Sequence, residues 1–190
     1  MDAPLNPEAR LEAILAEIRL AFSEVTEDSL RGFGARITAA RRIFVAGTGR
    51  SGLMARAFAM RLMHLGLKAC VVGEILTPGI AAGDLLLIAS GSGETGSMRV
   101  MAEKAKKLGA GVALITAFPQ SSLGRLADMH IALKAPTPKA SGPAAFRSIQ
   151  PMGSLFEQSL LLLLDLVVLQ LMESLHAAPE DMFARHANLE

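Results

Sequence analysis

Apolar residues recur along the chain with two different periods. Between residues 7 and 37 they return every three or four positions: Leu11, Ile14, Leu15, Ile18, Phe22 and Val25, then Leu30, Phe33 and Ile37. This spacing predicts two helices, each with a one-sided apolar stripe that must cover something. Asn6-Pro7-Glu8 and Thr26-Glu27-Asp28 supply the starts, a capping side chain followed by an acidic first turn. After Arg42 the period changes. Short continuous apolar runs over 43–46, 69–72, 85–89, 111–116 and 129–133 predict five buried strands. Helical patterns over 53–65, 95–108 and 122–127 fall between them. Strands alternating with helices imply an α/β fold, a parallel sheet with right-handed crossovers and helices on both faces, a three-layer sandwich.

Residues 134–151 include Pro136, Pro138, Gly142, Pro143 and Pro151 and read as a long loop, a type that is usually functional. Ser154 to Leu175 follows as a strongly apolar helix. Glu157, Gln158, Asp165 and Gln170 interrupt it, so a core or subunit interface suits it better than a bilayer. Pro179 to Glu190 is a short polar tail with at most one helical turn. The chain is expected to be one domain over 1–190: helices to 42, an α/β core over 43–133, a loop over 134–153, and a helix and tail over 154–190.

Composition narrows the function classes. The 190 residues are 51% hydrophobic and 19% charged, enough for a core and too apolar for a disordered chain. A net charge of +1 gives no field to hold nucleic acid, and without Trp or Tyr only Phe and Arg remain for base stacking. One cysteine, Cys70, excludes an internal disulfide and a CxxC site. His64, His130, His176 and His186 lack ligand spacing, so no protein-built metal site is expected. Met1-Asp2-Ala3-Pro4 has no basic segment leading into an apolar stretch, so the expectation is a cytoplasmic protein with no membrane partner.

Two loops carry candidate chemistry. Gly47-Thr48-Gly49-Arg50-Ser51-Gly52 matches GxGxxG between a strand and a helix, and Glu74 ends the second strand near the place of a ribose-binding carboxylate. NAD binding is one reading. The physical content is narrower: N–H groups at a helix start favour some anion, and the glycines also serve tight strand-to-helix packing. Ser90-Gly91-Ser92-Gly93-Glu94-Thr95 sits at a second strand-to-helix junction and adds hydroxyl donors to a flexible backbone, a nest suited to a phosphate monoester. If the strand order is 2-1-3-4-5, both loops flank the switch-point crevice of the sheet and line one pocket.

The chain resembles the SIS (sugar isomerase) family over nearly its whole length, and within it the 6-phospho-3-hexuloisomerases. The resemblance rests on Ala46–Gly52, Ala57–His64, Ser90–Thr95, Ser148–Gln158 and Met182–Glu190. It implies a flavodoxin-like fold and reversible conversion of D-arabino-hex-3-ulose 6-phosphate into D-fructose 6-phosphate, with no metal or redox cofactor. It implies that Ser51 and Ser90, Gly91, Ser92, Gly93, Glu94 and Thr95 bind the sugar phosphate, and that Glu157 accepts the proton; Gly49 and Arg50 of the first loop are candidates beside Ser51. It also implies a homo-oligomer, tetramer or dimer, with active sites near subunit boundaries, and a hexulose-phosphate synthase as metabolic neighbour in formaldehyde assimilation.

That reaction removes the proton on C2 through an enediol(ate) and returns it to C3, which a carboxylate can shuttle. Glu157 has a second reading, because Ser154-Leu155-Phe156-Glu157 is a capping-box pattern. His186 is the best donor to oxygen that the residues offer, here or in a neighbouring subunit. His64 reads as a cation or polar cap at a helix end. Arg50 pairs with phosphate or carboxylate or orients its loop. Glu94 accepts sugar hydroxyls or sits in a first helical turn. Lys104, Lys106 and Lys107 read as a solvated face. Two other classes stay open: a phosphosugar-sensing regulator and a small NAD-binding subunit.

Overall fold

The apolar runs pair side by side. In the computed structural model, which describes residues 6–136 and 147–189, they form β1 (Ile43–Gly47), β2 (Ala69–Val71), β3 (Leu85–Ala89), β4 (Gly111–Thr116) and β5 (Met129–Ala132). The sheet is parallel with order β2-β1-β3-β4-β5. In β3 all five residues are buried, as a strand covered on both faces requires.

The helices are α1 (Pro7–Ala21), α2 (Glu27–Ala39), α3 (Gly49–His64), α4 (Gly96–Lys107), α5 (Ser122–Leu126), α6 (Ser154–Leu175) and α7 (Pro179–Phe183). Asn6 and Thr26 cap α1 and α2 as their sequences suggest. α3 begins at Gly49, before the first apolar residue of its periodic stripe, because Gly-Arg-Ser-Gly is helical here without carrying any hydrophobic signal.

One face of the sheet is covered by α2, α3 and α6, whose Phe33, Ile37, Phe58, Leu62, Phe156, Leu160 and Leu163 meet Val45, Leu87 and Ile115. The other face is covered by α4 and α5, with Met98, Ala102 and Leu123 against Phe44, Leu86 and Leu114. α3 and α4 therefore leave β1 and β3 toward opposite faces, the condition for a crevice between them. α6 is 22 residues long and contains an 18-residue stretch with a mean hydropathy of 1.8, long and apolar enough to cross a membrane, but Leu155, Leu160, Leu164, Val167 and Leu171 bury one side of it in the core. α1 uses its stripe only in part: Leu11 and Leu15 remain exposed. Of the loop expected over 134–151, residues 137–146 lie outside the described residues, as do residues 1–5 and Glu190.

Candidate active site

Register places the two glycine loops together. Gly47 ends β1 opposite Ala89, the last residue of β3. The chain after each turns outward at the same level, and a cavity of about 620 Å³ opens there. Thr48, Gly49, Arg50 and Ser51 form one wall, Ser90, Gly91, Ser92 and Thr95 a second, and Pro151 to Ser154 with Phe156 and Glu157 a third. The starts of α3, α4 and α6 all face this space, so their orphan N–H groups and dipoles favour an anion.

The glycines divide the work. A Cβ on Gly47 would lie 2.9 Å from the Gly52 Cα, and one on Gly52 would lie 2.7 Å from the Gly47 oxygen, so these two allow strand and helix to touch. Gly49 has φ +56° and open space around it, which turns the backbone toward the cavity. In the second loop Ser90 and Ser92 are buried, and the Ser90 and Thr95 hydroxyls lie 3.3 Å apart. β4 holds that loop from behind: the Ala117 N–H and the Thr116 hydroxyl both donate to the Gly91 carbonyl.

Two residues expected to bind substrate lie outside the cavity lining. Gly93 and Glu94 do not line the cavity. Gly93 has φ +65° and a Cβ there would fall 1.9 Å from Ser121 Oγ, so its role is to let the loop pass α5. Glu94 accepts from the Ser122 N–H at 2.7 Å, and hydrogen bonding from Ser122 holds its carboxyl below the usual range. One of its carboxylate oxygens thereby caps the start of α5.

Glu157 does face the cavity, and the capping-box reading fails. Gly153, not Ser154, is the N-cap, and no side-chain cap bond forms. The Glu157 N–H donates to the Gly153 carbonyl as in any helix, while its carboxylate Oε2 accepts from Arg50 Nη1 at 3.1 Å. The same nitrogen lies 3.1 Å from Ser154 Oγ. Gly153 lies beside this carboxylate: a Cβ there would stand in ordinary contact, 3.4 Å from Glu157 Oε1. The sequence could not reveal this cross-link between β1's loop and α6.

His186 lies away from this cavity within the chain. Its ring stacks on His64 at 5.5 Å, at the last residue of α3. α3 has 16 residues, so its ends are roughly 22 Å apart and the cavity is at the other one. His64 is not a helix-end cation either. Burial, then the charges of Arg61 and His186, push its imidazole below the usual value and favour the neutral form. Glu74 pairs with Arg56 and does not line the cavity, so the ribose-type carboxylate of an NAD site is missing from it. Lys106 pairs with Asp128 rather than with solvent alone.

Residues 36–162 match the SIS domain family. The chain belongs to that family. It is 49% identical over 177 residues to the 3-hexulose-6-phosphate isomerase of Bacillus subtilis, covering 93% of this chain and 95% of that one. It is 41% identical over 180 residues to the enzyme of the same name from Mycobacterium gastri, covering 95% and 89%. The fold superposes with a TM-score of 0.83 and 35% identity on the crystal structure of a hypothetical Methanococcus jannaschii protein inferred to be a 3-hexulose-6-phosphate isomerase, covering 95% of this chain and 99% of that one. The SIS match spans both glycine loops and reaches Glu157, so the cavity lies within the shared domain.

Proposed function

We propose that this SIS domain is an isomerase that interconverts D-arabino-hex-3-ulose 6-phosphate and D-fructose 6-phosphate, in formaldehyde assimilation through the ribulose monophosphate pathway. The observation that carries the reading is one cavity holding both hydroxyl-rich glycine loops and a carboxylate that heads a third helix. Two relatives above 40% identity bear the name of that enzyme.

The dianionic phosphate rests on the N–H groups of the α3 start and on Ser51, Ser90, Ser92 and Thr95. This end of the substrate is far from the reacting carbons, so its binding energy goes into orientation. Glu157 takes the proton from C2. The electron pair of that C–H bond forms the C2–C3 double bond of the enediolate, and the carbonyl electrons move onto O3. The proton returns to C3 as the C2 carbonyl forms, and a proton passes from O2 to O3. Arg50 balances charge throughout: its guanidinium faces the Glu157 carboxylate at rest and a developing oxyanion once that carboxylate is protonated.

A homo-oligomer, tetramer or dimer, completes the reading. Leu162, Leu166 and Leu169 leave an apolar strip exposed on α6, and Leu53 and Met60 do so on α3. His186 acts on O2 or O3 of a substrate held by a neighbouring copy. A cytoplasmic location and a hexulose-phosphate synthase as supplier of substrate belong to the same reading.

Incubation with fructose 6-phosphate in deuterated water tests it. Deuterium enters at C3, with the 3-ulose forming in parallel. Absence of both exchange and conversion overturns the isomerase.

A further inference from the structure

The segment that closes the third wall of the cavity is held from an unexpected direction. Pro151, Met152 and Gly153 belong to no helix or strand, and Met152 stands at φ +56° and is 83% exposed. A non-glycine residue keeps that backbone only where its surroundings impose it. The residues before it are tied to α1, more than a hundred positions away in sequence. Glu17 Oε2 accepts from Ser148 Oγ at 2.7 Å and from Gln150 Nε2 at 3.1 Å, while Oε1 accepts from the Ile149 N–H at 2.7 Å. Gln150 Oε1 then accepts from Gln158 Nε2 at 2.7 Å, one residue beyond Glu157 on α6. Ser148 Oγ also takes the Gln150 N–H at 3.0 Å. The carboxylate thus satisfies donors on three successive residues, and the last passes the tie to the helix that carries the base.

We infer that Glu17 is a positioning residue for the reaction: its carboxylate pins Ser148–Gln150 to α1 and, through Gln150 and Gln158, sets the Pro151–Gly153 wall against Glu157. This rests on the isomerase reading above. The alternative is a purely structural tie that staples α1 to the body of the protein. The two differ in what they disturb. The phosphate cradle is built on β1 and β3 and owes nothing to α1, so a positioning role harms the sugar end alone. The net of donors is made for an anion: hydrogen bonds from Ser148, Ile149 and Gln150 outweigh burial and hold the Glu17 carboxyl below its ordinary range.

The test is steady-state kinetics of the full chain with fructose 6-phosphate, beside inhibition by inorganic phosphate. Glu17→Ala lowers kcat by about tenfold or more, the cost of misplacing a wall of the site by a fraction of an ångström. Glu17→Gln keeps one acceptor oxygen and falls in between. In both, the inhibition constant for phosphate stays within about twofold of the parent. Gln150→Ala reproduces the loss, and the double variant Glu17→Ala/Gln150→Ala is little worse than either single one, because both break one network. The inference is overturned if Glu17→Ala and Gln150→Ala both keep kcat within about twofold. It is also overturned if phosphate affinity falls by the same factor as kcat, or if the double variant is the product of the two singles. Should Glu17→Ala not fold, Glu17→Gln and Gln150→Ala decide. Parental protein that does not turn over fructose 6-phosphate refutes the functional reading itself, and this inference with it; a parental enzyme that works beside indifferent variants refutes this inference alone.

Discussion

At the scale of single residues, the site turns on which side chains face the cavity and which only hold the backbone around it. Glu157 is of the first kind. Replacing it by Gln keeps the shape and removes the acceptor, so turnover falls by roughly 10²–10⁴ while inorganic phosphate still binds the cradle. If kcat survives in that variant, the carboxylate serves only Arg50. Gly93 is of the second kind. Ala at 93 meets left-handed backbone, roughly 1–3 kcal/mol, together with a Cβ only 1.9 Å from Ser121 Oγ. Urea unfolding of Gly93→Ala is expected to show a loss at the upper end of that range, with weaker phosphate inhibition because the loop must move off α5. The alternating Ser-Gly pattern does not distinguish these roles. Ser90 and Gly93 look alike in sequence; only the position of α5 behind the loop separates them.

Elements were legible to very different degrees. β3 and β4 match their apolar runs residue for residue, and α6 spans Ser154–Leu175 as its pattern indicates, because burial on both faces or along a long side leaves an unbroken signal. The start of α3 was hidden by its glycines, and the cap of α6 moved one residue because Ser154 was engaged by Arg50 instead. Such long-range pairs, like Glu17 with Ser148, leave no local periodicity to read. The junction before β3 offers another. Asp84, buried, accepts from Arg42 Nη2 at 2.7 Å, from Arg41 Nε at 3.1 Å and from the Ala81 N–H at 2.9 Å, fastening the lead-in to β3 against that to β1. Burial alone would raise its carboxyl, but these partners bring it from 3.8 to about 2. A lowered folded value means the stabilisation is whole above the unfolded pKa and disappears as pH falls from 3.8 to about 2. At neutral pH Asp84→Asn is therefore less stable by about 2 kcal/mol. The difference from the parent should narrow below pH 4 and close near the folded value, which parallel urea titrations measure.

The whole molecule joins these scales through one geometric fact. The proposed phosphate cradle and Glu157 sit at the start of α3, and His186 sits against its end, roughly 22 Å away along 16 residues. No rotamer spans that gap. A histidine that serves the proposed reaction must therefore reach the cavity of another copy, and in the proposed oligomer the exposed leucines of α6 are the surface on which copies would meet. Complementation follows from this arrangement. Glu157→Gln and His186→Ala are each inactive or nearly so alone, but a mixed pair contains one site with both groups intact and one with neither. Random mixing into twofold pairs makes half of them mixed, so activity returns to about a quarter of the parental value. Leu166→Glu on the exposed face of α6 places a charge in the contact and should abolish the recovery as the oligomer dissociates, as light scattering would record. Recovery that persists in monomers, or mixtures that stay silent while the oligomer remains whole, would place His186 outside the chemistry and leave the proton transfers between oxygens to the cavity's own hydroxyls.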